Sequence, residues 1–79
     1  MRLDKYLKVS RLIKRRTVAN EACDAGKVMV NGKVARASYD VTVDDVISIT
    51  LGARQLQAQV VSVQETVAKS DAAMLYKLL

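Results

Sequence analysis

The sequence predicts an α+β fold, with two short helices packed on one face of a small, mostly antiparallel sheet and a short helix at the C-terminus. Three observations predict it. Apolar residues recur at helical spacing through residue 25, the period changes to two after Gly26, and Asn31-Gly32 stands between two short alternating runs. With 79 residues, 51% hydrophobic and 27% charged, the chain reads as one thin-cored folded domain. Its core spans residues 1–51, and residues 52–79 add a strand and the short helix.

Leu3, Tyr6 and Leu7 fall at i, i+3 and i+4, the apolar stripe of a first helix. Asp4, Lys5 and Lys8 lie off that stripe. Asp4 occupies the first turn, where the helix dipole favours an anion, and Lys8 follows four residues later as an ion-pair partner. Leu12 and Ile13 pack inward near the helix end. Lys14-Arg15-Arg16 interrupts the pattern, and a second helix runs from Arg16 or Thr17 to Ala25. Val18, Ala19, Ala22 and Cys23 form its buried edge, Thr17 is the available N-cap, and Gly26 is the expected C′ residue.

Val28 and Val30 then alternate with Lys27 and Met29, and Asn31-Gly32 is the type I′ turn dipeptide of a hairpin that returns through Lys33 to Arg36. Residues 37–40 form a loop and Asp44-Asp45 a turn. Ile47, Ile49 and Leu51 share one face of the next strand. Gly52-Ala53-Arg54 reverses the chain into the longest strand pattern, Gln55 to Val63, whose alternation slips between Val60 and Val61 as at a bulge. Ser70 or Asp71 caps the last helix, in which Ala72, Leu75 and Leu79, or Met74 and Leu78, pack down. Cys23 is a core residue, and Tyr6 and Tyr76 pack with wet hydroxyls.

Charge is unevenly placed. Residues 1–36 carry ten basic and three acidic groups, and residues 37–79 carry three and five, within a net +5. A basic half beside a slightly acidic half is the footprint of a polyanion-binding face. Lys5 and Lys8 share the polar side of the first helix. Arg11, Lys14, Arg15 and Arg16 crowd the junction of the two helices, and Arg16 stands near a helix N-terminus, where backbone N–H groups favour phosphate. Lys27 and Lys33 mark the two ends of the first hairpin. Arginine grips phosphate bidentately and lysine supplies point charge, so the pattern is one of nucleic-acid backbone contact.

The second helix carries Asn20, Glu21 and Asp24, and its two acids argue against insertion into a DNA groove. Three Tyr are the only aromatics, a poor supply for a base-stacking platform. Double-helical or folded RNA fits best. Catalysis has little to work with: there is no His, so no Ser or Thr has an imidazole partner, and the single Cys allows neither a disulfide nor a cysteine metal cluster. No cofactor, metal, membrane or small-molecule substrate is expected, and a soluble cytoplasmic protein is the default.

Arg2-Leu3-Asp4-Lys5-Tyr6-Leu7, then Arg11, Arg16, Ala19, the run Gly26 to Gly32 and Asp45 to Ile49 resemble the RNA-binding domain first described in ribosomal protein S-four, the alpha-L motif. The resemblance covers residues 1–51 and implies the alpha-L fold. Residues 9–17 and 72–76 are similar to the free-standing members of that family typified by the bacterial ribosome-associated quality-control protein RqcP (YabO). The heat-shock ribosome-rescue protein is a relative with a longer basic C-terminal extension. What the resemblance implies is binding to obstructed large ribosomal subunits through 23S rRNA and to peptidyl-tRNA, held in a P-site-like position while a NEMF-type tailing factor (RqcH) adds a C-terminal alanine tail to the stalled chain. By position, Arg2, Asp4, Lys5, Arg11, Arg15 and Arg16 would form the RNA face, and charge adds Lys8, Lys14, Lys27 and Lys33. Asp4, which phosphate would repel, either orients a neighbouring cation or caps the first turn. One departure stands out: Asp44-Asp45 occupies the turn where the family usually has Gly-Asp. A generic RNA-binding module serving an RNA-modifying enzyme, and a rescue factor for free large subunits carrying a nascent chain, remain as alternatives.

Overall fold

The structure is a computed structural model that describes residues 1–65 and 67–79, with the backbone alone for Lys69. Two α-helices open the chain, α1 (Leu3–Val9) and α2 (Arg16–Asp24). Four strands follow: β1 (Val28–Val30), β2 (Lys33–Val34), β3 (Val46–Leu51) and β4 (Arg54–Val60). A 3₁₀ helix (Lys69–Leu75) leads into a last strand, β5 (Tyr76–Leu78). The sheet has five strands in the order β2-β1-β3-β4-β5, and every pairing is antiparallel. Leu3, Tyr6 and Leu7 from α1, Ala19 and Cys23 from α2, and Val28, Ile47, Ile49, Val60 and Leu75 meet in one hydrophobic cluster.

Helix α1 has no side-chain cap. The chain supplies its orphan donors with other partners. The Leu3 N–H donates to the Tyr39 carbonyl at 2.8 Å, the Asp4 N–H to the Ala37 carbonyl at 3.1 Å, and the Lys5 N–H to Asp4 Oδ1 at 2.8 Å. Val41 N–H bonds the Met1 carbonyl, and Arg2 and Asp40 form an isolated antiparallel bridge. Residues 37–41 are thereby laced to the start of α1, which fixes Arg2 beside the loop after β2. Helix α2 closes with a Schellman motif: Gly26 N–H bonds Cys23 O, Lys27 N–H bonds Ala22 O, and Gly26 sits at φ 74°.

Asn31 (φ 54°) and Gly32 (φ 84°) form the two-residue hairpin turn between Val30 and Lys33. The Asn31 amide does more than turn the chain. Its Oδ1 accepts from Val46 N–H at 2.9 Å and its Nδ2 donates to Asp45 Oδ1 at 3.0 Å, which ties the hairpin to the start of β3. The buried Asp45 carboxylate also accepts from Thr42 N–H and the Tyr39 hydroxyl.

Several expectations are corrected. Thr17 caps nothing: Arg15 is the N-cap of α2 and makes no side-chain cap bond. Val18 faces solvent at 46% exposure, because the buried stripe of α2 is narrowed to Ala19 and Cys23. The return strand of the hairpin stops at Val34, and Leu51 is exposed beyond the reach of the helices. β4 ends at Val60. Beyond it the Val61 and Ser62 N–H groups both donate to the Leu75 carbonyl, the two-on-one pattern of a bulge. The Tyr6 hydroxyl is not wet: it is buried and donates to that same carbonyl at 2.7 Å. Neither Ser70 nor Asp71 caps the last helix, whose N-cap is Ala68. It is a 3₁₀ helix, so its three-residue turn buries Ala72 and Leu75 and leaves Met74 outside. Leu78 and Leu79 leave the expected helix, with Leu78 pairing to Ala58 as part of β5, and both are exposed.

Asp44 lies at φ 77°, the left-handed region that glycine occupies without cost. An aspartate at this position therefore carries strain. Asp44→Gly is expected to raise stability by about 0.5–1 kcal/mol, measured by urea unfolding. Destabilisation by that substitution would show that the Gln59 Nε2 contact to Asp44 Oδ1, at 3.4 Å, outweighs the backbone cost.

Candidate nucleic-acid interface

Helix α1 turns Asp4 inward, toward α2, where the side chain is only 4% accessible. The expected pairing with Lys8 is replaced by a tertiary one. Arg2 Nε lies 3.2 Å from Asp4 Oδ1, and Arg16 Nε lies 3.3 Å from Oδ2. Asn20 Nδ2 donates to Oδ2 at 3.3 Å, and the Lys5 N–H takes Oδ1. One buried carboxylate thus holds two guanidiniums, one from the residue before α1 and one from the first turn of α2. Both guanidinium side chains remain about half exposed, at 51% and 47%. The centre keeps one net positive charge and presents N–H donors on two planar forks that Asp4 holds in place.

Burial pushes the Asp4 carboxyl up, but bonds from Arg2, Arg16, Asn20 and the Lys5 amide outweigh it and hold the pKa below its ordinary 3.8. Asp45 is likewise lowered: burial raises it, and bonds from Thr42, Asn31 and Tyr39 win. A lowered folded-state pKa contributes stability that is complete above the ordinary carboxylate value and lost as pH falls through the folded one. Acid titration of unfolding free energy should therefore be flat at neutral pH and fall below about pH 4, with a smaller fall in Asp4→Asn. An identical acid limb in wild type and variant would contradict the ion-pair reading.

The other expected cations do not join this centre. Lys8, Arg11 and Lys14 line a separate cleft with Val9, Glu65 and Val67. Lys5 turns to Glu65, its Nζ 3.6 Å from Oε1. Arg15 is exposed at the start of α2. Lys27 and Lys33 stand at opposite ends of the first hairpin, both exposed. The single patch expected from sequence is thus divided into a carboxylate-held pair, a three-cation cleft and the hairpin. Arg36, absent from the expected RNA face, shares a depression with Arg2, Asn20 and Ala37. Only the backbone lacing of residues 37–41 to α1 brings it there, and no local motif announces it.

Arg11 stands at φ 62° in the connection between the helices, a left-handed position for a β-carbon-bearing residue. Arg11 follows the Ser10 C-cap of α1, so its left-handed backbone ends that helix where glycine would do so without strain. Arg11→Gly should raise stability by about 0.5–1 kcal/mol while weakening RNA binding, the two effects having opposite signs. Thermal unfolding and filter binding on one preparation check both, and a variant improved or worsened in both would contradict the assignment. Cys23 is a packing residue: burial first, then the charges of Asp4 and Asp24, push its thiol up to about 11. Among the described residues, no three His, Cys, Asp or Glu side chains come together as a metal site, and no helix is long and apolar enough to cross a membrane.

The S4 domain family matches residues 1–47, the segment that builds the Asp4 centre and both helices. The RQC P-site tRNA stabilizing factor of Streptococcus pneumoniae is 48% identical over 79 residues, 100% of this chain and 90% of that relative. The factor of the same name from Bacillus subtilis is 47% identical over 79 residues, 100% of this chain and 92% of the relative. The chain belongs to the S4 domain family, alongside these RQC P-site tRNA stabilizing factors. Among solved structures, heat shock protein 15 of Vibrio cholerae superposes with a TM-score of 0.92 at 28% identity, over 100% of this chain and 81% of that one. A hypothetical protein, HP1423, superposes at 0.84 with 30% identity, over 100% and 96%. The S4 domain match and these superpositions agree with the alpha-L fold read from the sequence.

Proposed function

We propose that this protein is a non-enzymatic RNA-binding factor of ribosome-associated quality control. It binds obstructed large subunits, contacts 23S rRNA and holds peptidyl-tRNA in a P-site-like position, so that a NEMF-type factor (RqcH) can extend the stalled chain with alanine. It works in the cytoplasm, on the ribosome, as one domain spanning residues 1–79. The observation that carries the reading is the pair of half-exposed guanidiniums held on Asp4. Such an arrangement presents oriented donors to phosphate without a base-reading helix, which suits RNA recognised by shape and backbone. The names of the relatives supply the quality-control setting and the tRNA.

Salt dependence tests the RNA contact. If about five to eight phosphates are neutralised, the log–log slope of affinity against salt lies at roughly −4 to −7. A slope near zero would point to a protein adaptor instead. The setting is tested by affinity purification of the tagged protein. Enrichment of large subunits carrying peptidyl-tRNA with alanine-tailed chains supports the proposal, and equal recovery of free tRNA and rRNA supports a generic RNA-binding module. The likeness to heat shock protein 15 favours one second reading, a rescue factor on free large subunits with a nascent chain, for which the purified chains would carry no tail.

A further inference from the structure

The first hairpin and the loop after β2 line a cavity of about 640 Å³ that neither the Asp4 centre nor the three-cation cleft uses. Val30, Val34, Ala35 and Tyr39 form its apolar body, and Lys33 and Arg36 supply its charge. The Tyr39 ring is held by its hydroxyl bond to Asp45, and Val34 is 64% exposed, an unusual position for a valine on a strand with no partner beyond it. The cavity is not isolated. Arg36 belongs both to it and to the depression that contains Arg2 and Asn20, and Asn20 in turn lines the dish over Asp4 and Arg16. Arg16, Arg2, Arg36 and Lys33 thus line three adjoining depressions, which also carry the carboxylates of Asp4, Glu21 and Asp24.

An apolar pocket of this size with two cations is chemically matched to an anion that carries a flat apolar body. Beside the guanidiniums proposed to hold RNA, a nucleotide whose base has left the stack is such a ligand. Unpaired bases are the part of folded RNA that can be splayed out and packed against side chains. We infer that this pocket receives an unpaired nucleotide of the bound RNA, with the base against Val34 and Tyr39 and the flanking phosphates on Lys33 and Arg36. The inference rests on the proposed RNA-binding function and adds to it a preference for RNA with an extruded base.

Two RNA duplexes test it, one fully paired and one with a single-nucleotide bulge, each titrated into isotope-labelled protein. The bulged duplex should shift the amides of residues 30–39 and the paired duplex should leave most of them in place. Val34→Ser, at an exposed position, should weaken the bulged duplex about fivefold and leave the paired one unchanged, as expected when a base no longer packs on an apolar side chain. Arg36→Ala should weaken both. Equal weakening of both duplexes with Val34→Ser, or no shift at residues 30–39 with either, would overturn the inference while the response to Arg16→Ala still reports on the wider reading. An acidic peptide that moves these amides when neither duplex does would make the pocket a protein-docking site and also overturn it. Absence of binding by wild type to both duplexes would remove the RNA reading itself.

Discussion

Asp4→Asn should weaken RNA binding by about tenfold even though it removes a negative charge from the proposed RNA face, since one oriented charge-assisted bond to phosphate is worth about 1.4 kcal/mol. Simple Coulomb reasoning gives the opposite sign, because taking away a carboxylate makes the face more positive. The difference lies in what Asp4 does. Its two oxygens hold Arg2 and Arg16 and accept from Asn20 and the Lys5 amide, so the guanidiniums wait in place and give up little freedom when phosphate arrives. Asparagine keeps the size and one acceptor oxygen but cannot hold two cations. The same substitution should cost about 1–2 kcal/mol of stability at neutral pH, discounted because both arginines are half exposed. Fluorescence anisotropy with a structured RNA and urea unfolding measure the two effects. An affinity equal to or above that of wild type would show that Asp4 is an electrostatic burden with no positioning role.

The second large effect comes from the arginines together. Arg16→Ala alone should weaken association with large subunits without unfolding the domain, because Arg2 stays on the carboxylate. Arg2→Ala combined with Arg16→Ala should lower stability by far more than the sum of the single changes, since a buried carboxylate is then left with no cation. The salt slope of RNA binding should also become shallower by about two units, one for each phosphate that is no longer neutralised. Additive stability effects in the double variant would show that the pair is a surface ornament of little consequence.

Much of the fold is legible because it is written in local chemistry. Gly26 and Lys27 close α2 by backbone bonds that need a left-handed residue, and Asn31-Gly32 supplies the two positive φ angles of the hairpin. Ile47 and Ile49 alternate inward as their spacing requires. The C-terminus is not legible in this way. Ala72 and Leu75, three apart, fit an α-helix and a 3₁₀ helix equally, and the pairing of Tyr76, Lys77 and Leu78 with β4 is a contact made 16 or more residues away. The site follows the same division. Arg2, Arg16 and the positioning role of Asp4 are visible as a motif, yet Asp4 looks like a surface partner of Lys8 until α2 is packed beside it. Arg36 lies in irregular chain with no motif around it, and the bonds from the Leu3 and Asp4 amides to Tyr39 and Ala37 decide where it goes. Tertiary bonds between distant segments set these positions, and neither periodicity nor propensity encodes them.

Cosedimentation with large ribosomal subunits that still carry peptidyl-tRNA tests the central claim most directly, with wild type and the Arg16→Ala variant, in which Arg2 still neutralises Asp4, run side by side. Wild type should pellet with the obstructed subunits, and the folded Arg16→Ala variant should be recovered there at a clearly lower level. Equal recovery of both proteins in the pellet would mean that the guanidiniums held by Asp4 are not the grip on RNA.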